Sequence, residues 1–179
     1  MAVGGPHISS QNSRGVVAVS GHKREVSRED VGRATEAAKA VQVPSNREIL
    51  HVVPRGYIVD GQEGIKDPLG MSAVRLEVET HIVAGAATSV QNLSKCVTGA
   101  GVQIDEVVIS SLAAAEGTLT DTEKELGVLV ADIRGGTTDI AIFVDGAVYH
   151  TAVLPVGGIN VTNDVAIGLR TCLNLAEEV

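Results

Sequence analysis

The chain has 179 residues and a formal net charge of −8, and 44% of it is hydrophobic although its only aromatic residues are Tyr57, Phe143 and Tyr149. No block of Lys or Arg supplies the basic patch that a nucleic-acid surface needs. No apolar run nears the roughly 20 residues of a spanning helix. Cys96 and Cys172 stand far apart without a CxxC pattern and no signal peptide opens the chain, so free thiols and a cytoplasmic location are expected.

With so few aromatics, the core must come from Val, Ile, Leu and Ala, which suits strands covered by helices, an α/β arrangement. Met1 to Asn12 reads as a frayed start, and Val16 to Ser20 as a short β-rich run. Ser27, with Asp30 three residues on, predicts a capped helix start. Val31, Ala34, Thr35, Ala38 and Val41 follow at helical spacing, and Pro44 closes the segment. Glu48 to Asp60 predicts an extended segment that Pro54 restricts to an edge or a bulge. Turn residues fill Asp60 to Gly70. Then Val74, Leu76, Val78 and Ile82 alternate with Arg75, Glu77, Glu79 and His81, which predicts a strand with one buried and one wet face.

A helix with Val90, Leu93, Val97 and Ala100 on one stripe is predicted from about Ser89 and stops at Gly101. A strand over Ile104–Ile109 and an Ala-rich helix over Leu112–Leu119 come next, an order that suggests parallel pairing. Thr120 to Glu125 reads as a charged connection. Val128 to Asp132 predicts a buried strand ending in a carboxylate, followed by a tight turn at Gly135-Gly136-Thr137-Thr138. Asp139 to Val144 and Ala147 to Leu154 predict two strands joined by Asp145-Gly146, a strong hairpin signal. Gly157-Gly158 then precede a helix with Val161, Val165 and Leu169, and Val179 falls within a further helical stretch.

A strand that ends in Asp and runs into Gly-Gly-Thr-Thr has a specific chemical use. Glycines let backbone N–H groups approach an anion, threonine hydroxyls donate further hydrogen bonds, and the aspartate holds Mg²⁺ through water. An ordinary hairpin whose turn needs glycine is the competing explanation.

The run Asp132-Ile133-Arg134-Gly135-Gly136-Thr137-Thr138-Asp139-Ile140 resembles the second phosphate loop of the actin-like ATPase superfamily. Gly15-Val16-Val17-Ala18, Arg47-Glu48-Ile49-Leu50-His51-Val52, Val59 to Ile65, Asp67 to Met71, Glu123 to Gly127 and Val161 to Ala166 narrow the resemblance to the FtsA family of bacterial cell-division proteins. The resemblance implies an actin-like (ribonuclease H-like) α/β fragment with a small α+β inserted subdomain. It places the insertion at 1–73, the closing part of subdomain 1A with the inter-lobe helix at 74–120, and the start of subdomain 2A at 121–179. ATP and Mg²⁺ are the implied cofactors. Asp132, Gly135, Gly136, Thr137 and Thr138 would hold phosphate, Asp132 the metal, and Gly157 and Gly158 would add backbone donors. Asn163 and Asp164 would approach the nucleotide.

Arg134 stands where the family pattern has the first of three glycines. It is expected to crowd the phosphate approach and strain the turn, so that Arg134→Gly strengthens nucleotide binding; a guanidinium–phosphate contact is the alternative. Glu116 is the one candidate for a water-activating group, against an exposed or capping glutamate. His7, His22, His51, His81 and His150 lack metal-ligand spacing. No early phosphate loop, late adenosine-binding glycine pair or C-terminal membrane helix occurs between Met1 and Val179, which implies an internal fragment, inactive in ATP hydrolysis by itself. By resemblance, the intact protein would form filaments at the cytoplasmic face of the inner membrane, tether FtsZ and recruit later division proteins. A pilus-assembly adaptor, or a sugar or acetate kinase sharing the loop, is the alternative.

Overall fold

The computed structural model describes residues 1–20, 24–40 and 43–178; His22, Val41 and Val179 lie outside the described residues. The chain opens with β1 (Ala2–Val3), β2 (Ile8–Ala18) and α1 (Arg28–Lys39), then β3 (Arg47–Val59), β4 (Gln62–Ile65) and β5 (Arg75–Ala86). The four longer strands form one antiparallel sheet in the order β2-β5-β3-β4. The start is not frayed. Ile8 to Asn12 pairs with residues 81–85 of β5, while Ala2 and Val3 pair in parallel with Val108 and Ile109, a partner more than a hundred residues away.

Helix α1 begins as its sequence predicts. The Ser27 hydroxyl accepts from the Asp30 N–H, the Asp30 carboxylate accepts from the Ser27 N–H, and both halves of the capping box are present. Asp30 is fully buried, and the Ser27 hydroxyl, ahead of its other donors, holds its carboxyl well below the usual carboxylate range. Ser27→Ala is therefore expected to cost about 1–2 kcal/mol, read as a lower urea midpoint. Ala34 and Ala38 face β2 with no side chain between them and Gly15. A Cβ added at Gly15 would lie 1.9 Å from the Ala34 carbonyl oxygen.

Pro54 sits where the β3–β5 register shifts, and a second shift separates Ile49 from His51, so the predicted bulge is present. The wet face predicted for β5 is present only in part, at the exposed Arg75 and the half-exposed Glu79. Leu76 and Val78 pack against α1, but Glu77 is only 5% exposed and His81 is fully buried. Val74, expected inside, is exposed. The reason is layering: β5 is an inner strand, and β9 packs across the face that alternation assigns to water. Glu77 is compensated there by Arg14 and Arg75. Because β5 pairs along its length with β2 and β3, it is structurally inseparable from the residues before Ala73.

The remaining elements are α2 (Ala87–Gly99), β6 (Val108–Ile109), α3 (Ser110–Thr118), α4 (Asp121–Leu126), β7 (Val128–Ile133), β8 (Thr138–Val144), β9 (Ala147–Leu154), α5 (Gly158–Leu169) and α6 (Leu173–Glu177). The strand predicted over Ile104–Ile109 shrinks to two residues. The predicted parallel pairing does not join β5 to β6; among the described residues, β6 pairs with β1 alone. The charged stretch after Thr120 is a helix, closed at its start by a reciprocal Thr120–Glu123 capping box.

Strands β7, β8 and β9 form an antiparallel sheet in that order, and its β8–β9 turn at Asp145-Gly146 has positive φ at both residues, as the sequence signal requires. Ala115 of α3 packs on Ala141, Phe143 and Val148. β7 is an edge strand rather than a buried one: α3 covers one face, while Leu129 and Ile133 on the other are 55% and 70% exposed.

Candidate functional site

The β7–β8 hairpin carries the Gly-Gly-Thr-Thr segment. Asp132 lies opposite Asp139 and Ile133 opposite Thr138, and the Arg134 N–H donates to the Thr137 carbonyl at 2.8 Å, closing the turn. Neither Gly135 nor Gly136 has a positive φ, and a Cβ added at either would meet nothing within 4 Å. Chain packing therefore does not demand glycine at these two positions. What glycine leaves bare is backbone: among the described residues, no acceptor pairs with the N–H of Gly135, Gly136 or Thr137. Three successive unpaired amides beside an open face are suited to an anion.

Gly157 and Gly158 have a different place from the one predicted. The Gly157 N–H donates to Asn160 Oδ1 at 2.9 Å, and the Gly158 and Ile159 N–H groups donate to the carbonyls of Arg134 and Gly135. These donors are spent inside the fold. A Cβ at Gly157 would lie 2.3 Å from the Arg134 carbonyl oxygen, so glycine here lets the first turn of α5 brace the loop from behind. The Thr138 hydroxyl donates to the Val156 carbonyl at 2.7 Å and is likewise used as a brace, whereas Thr137 is half-exposed.

Arg134 departs from both predictions made for it. Its φ is not positive, so the turn is unstrained, and its side chain turns back between Asp132 and Asp139. Nη2 is in direct ionic contact with the buried Asp139, Nε lies 3.3 Å from Asp132 Oδ2, and Nη1 donates to the Ser110 hydroxyl at the start of α3. Gly4 packs against this guanidinium, with no room for a Cβ. Asp139, Ser110 and Gly4 were not singled out from sequence. The Asp132–Arg134 spacing puts both side chains on one face, which was a readable signal; the opposition of Asp139 needed the strand register.

A divalent cation does not fit these residues. Asp132, the predicted metal ligand, is already paired with Arg134, and among the described residues no group of three or more His, Cys, Asp or Glu is arranged to hold a metal. Glu116 is 83% exposed on α3 and paired with Lys124 at 2.9 Å, a surface ion pair rather than a base in a cleft. Asp164 is exposed and Asn163 half-exposed on α5.

Residues 5–84 match a family model described as the SHS2 domain inserted in FtsA, and residues 129–179 match one described as cell division protein FtsA. Cell division protein FtsA of Pseudomonas aeruginosa is 48% identical over all 179 residues, and that of Bacillus subtilis 45%. The chain belongs to the FtsA family. It spans 42% of the length of the Pseudomonas FtsA and 41% of the Bacillus one. Among solved structures, a PilM–PilN type IV pilus biogenesis complex matches 96% of this chain and 46% of its own with a TM-score of 0.63 at 17% identity, which speaks for the fold alone. The architecture is thus actin-like α/β, with the SHS2 unit of FtsA set into it. The SHS2 match ends inside β5, in agreement with the pairing of that strand. None of the described helices is long and apolar enough to cross a membrane.

Proposed function

We propose that this chain is the part of an FtsA-type division scaffold that joins the inserted SHS2 unit, here taken to run to about β5, to the phosphate-facing edge of the nucleotide lobe. The unpaired N–H groups of Gly135, Gly136 and Thr137, braced by α5, carry this reading. They donate to the terminal phosphates of ATP, and the half-exposed Thr137 hydroxyl adds a donor. In the whole protein, nucleotide occupancy governs self-association into filaments at the cytoplasmic face of the inner membrane, where FtsZ and later division proteins dock. A kinase is disfavoured because Glu116, the one candidate base, is exposed and ion-paired.

Binding by this chain is expected to be weaker than micromolar, since one hairpin contacts only the phosphate end, and no phosphate release is expected because Asp132, the carboxylate beside the loop, is paired with Arg134. Amide-resolved NMR during an ATP titration is the test. Shifts concentrated at Gly135, Gly136 and Thr137 are the expected result; shifts absent there, or measurable phosphate release, would overturn the assignment.

A further inference from the structure

We propose that the Arg134 guanidinium is the resident cation of this loop, neutralising Asp132 and Asp139 from within the chain and excluding a divalent metal from them. Asp132 and Asp139 are cross-strand partners, and like charges placed directly opposite each other repel. Asp139 is buried and its Oδ1 has no hydrogen-bond partner, so its charge must be compensated by a cation close at hand. Arg134 supplies that charge at both carboxylates while its own backbone closes the turn.

On its buried side, the guanidinium leaves no space for an ion next to Asp139. Gly4 closes one side, Ser110 another, and the crevice behind Asp139, lined by Val3, Ser10, Ser111 and Thr151 among others, holds only about 10 Å³, at most a single water. This arrangement rests on the nucleotide reading only in its consequence: a phosphate held by the loop amides would be held without a bridging metal.

The test uses Mn²⁺ as the probe and the free-ion paramagnetic resonance signal as the readout. The wild-type chain is expected to leave the Mn²⁺ signal undiminished, and its melting temperature should not move with added Mn²⁺. Arg134→Gln, which removes the charge and keeps a polar side chain, is expected to deplete the free-Mn²⁺ signal that wild type leaves intact and to gain thermal stability when Mn²⁺ is added. Adding Asp132→Asn to that variant should abolish the gain. Uptake of Mn²⁺ by the wild-type chain that Asp132→Asn removes would overturn the proposal, as would a folded Arg134→Gln chain with no gain. Should that variant not fold, the wild-type titration decides alone. Failure of ATP to shift the loop amides would sink the nucleotide reading and leave the Mn²⁺ result standing.

Discussion

Gly15→Val is expected to be the most disruptive single substitution in the first half of the chain, lowering stability by about 3 kcal/mol. α1 rests on β2 by backbone contact at this point: an added Cβ would lie 1.9 Å from the Ala34 carbonyl oxygen and 2.6 Å from the Ala38 nitrogen. Neither atom belongs to a flexible side chain that could turn aside. The helix must move as a body, pulling Ala34 and Ala38 out of the cluster they form with Leu76 and Val78 and straining the bond from Ser13 Oγ to the Ala38 carbonyl. Urea unfolding followed by circular dichroism would measure the loss. A variant whose midpoint falls within error of wild type would show that the helix is not locked to the strand at this glycine.

Local chemistry in this chain was readable wherever it closes on itself within a few residues. The Ser27–Asp30 box, the bulge at Pro54 and the Asp145-Gly146 turn all form as their sequences predict. The Thr120–Glu123 box carries the same signal, since Thr-x-x-Glu is a helix start, and the charged residues after it are helical rather than a connection. What could not be read was which surface covers which. Polar and apolar residues alternate along β5, and alternation reports side-chain type, not the presence of β9 across the polar face. β1 could not be seen at all, because two residues become a strand only when Val108 and Ile109 arrive beside them.

The phosphate loop divides the same way. Its glycines and threonines point to an anion site from residue type alone, a reading that the Gly135–Thr137 amides, unpaired among the described residues, support. The donors of Gly158 and Thr138 find acceptors about twenty residues along the chain, at Arg134 and Val156, which residue type alone does not reveal, and the Gly157 N–H is taken by Asn160. Arg134 was judged against an empty turn, whereas Asp132 and Asp139 draw its side chain away from the open face.

Acidification from pH 6.5 to about 4 is expected to destabilise the chain through His81. This residue, assigned to water by alternation, is fully buried between the two large sheets. Its Nδ1 lies 2.7 Å from Asn12 Oδ1 and its Nε2 2.9 Å from the Thr151 hydroxyl. Asn12 Oδ1 can only accept, so Nδ1 carries a proton; in the neutral ring that burial favours, Nε2 then accepts from the Thr151 hydroxyl. Burial, then the neighbouring His150 and Arg55, push its pKa down from 6.5 to about 4. In the unfolded chain the ring takes up a proton as pH falls through 6.5; in the folded chain it resists until about 4. Stability is therefore fully present above 6.5, declines across that window by up to about 3 kcal/mol, and levels off below it. His51, whose Nε2 accepts from the Ile109 N–H and whose pKa burial also lowers, adds slope of the same sign. His81→Gln keeps a donor and an acceptor but cannot titrate, so it should flatten most of the decline in urea midpoints measured between pH 7 and 4. An unchanged slope in that variant would mean that protonation elsewhere loosens the two sheets.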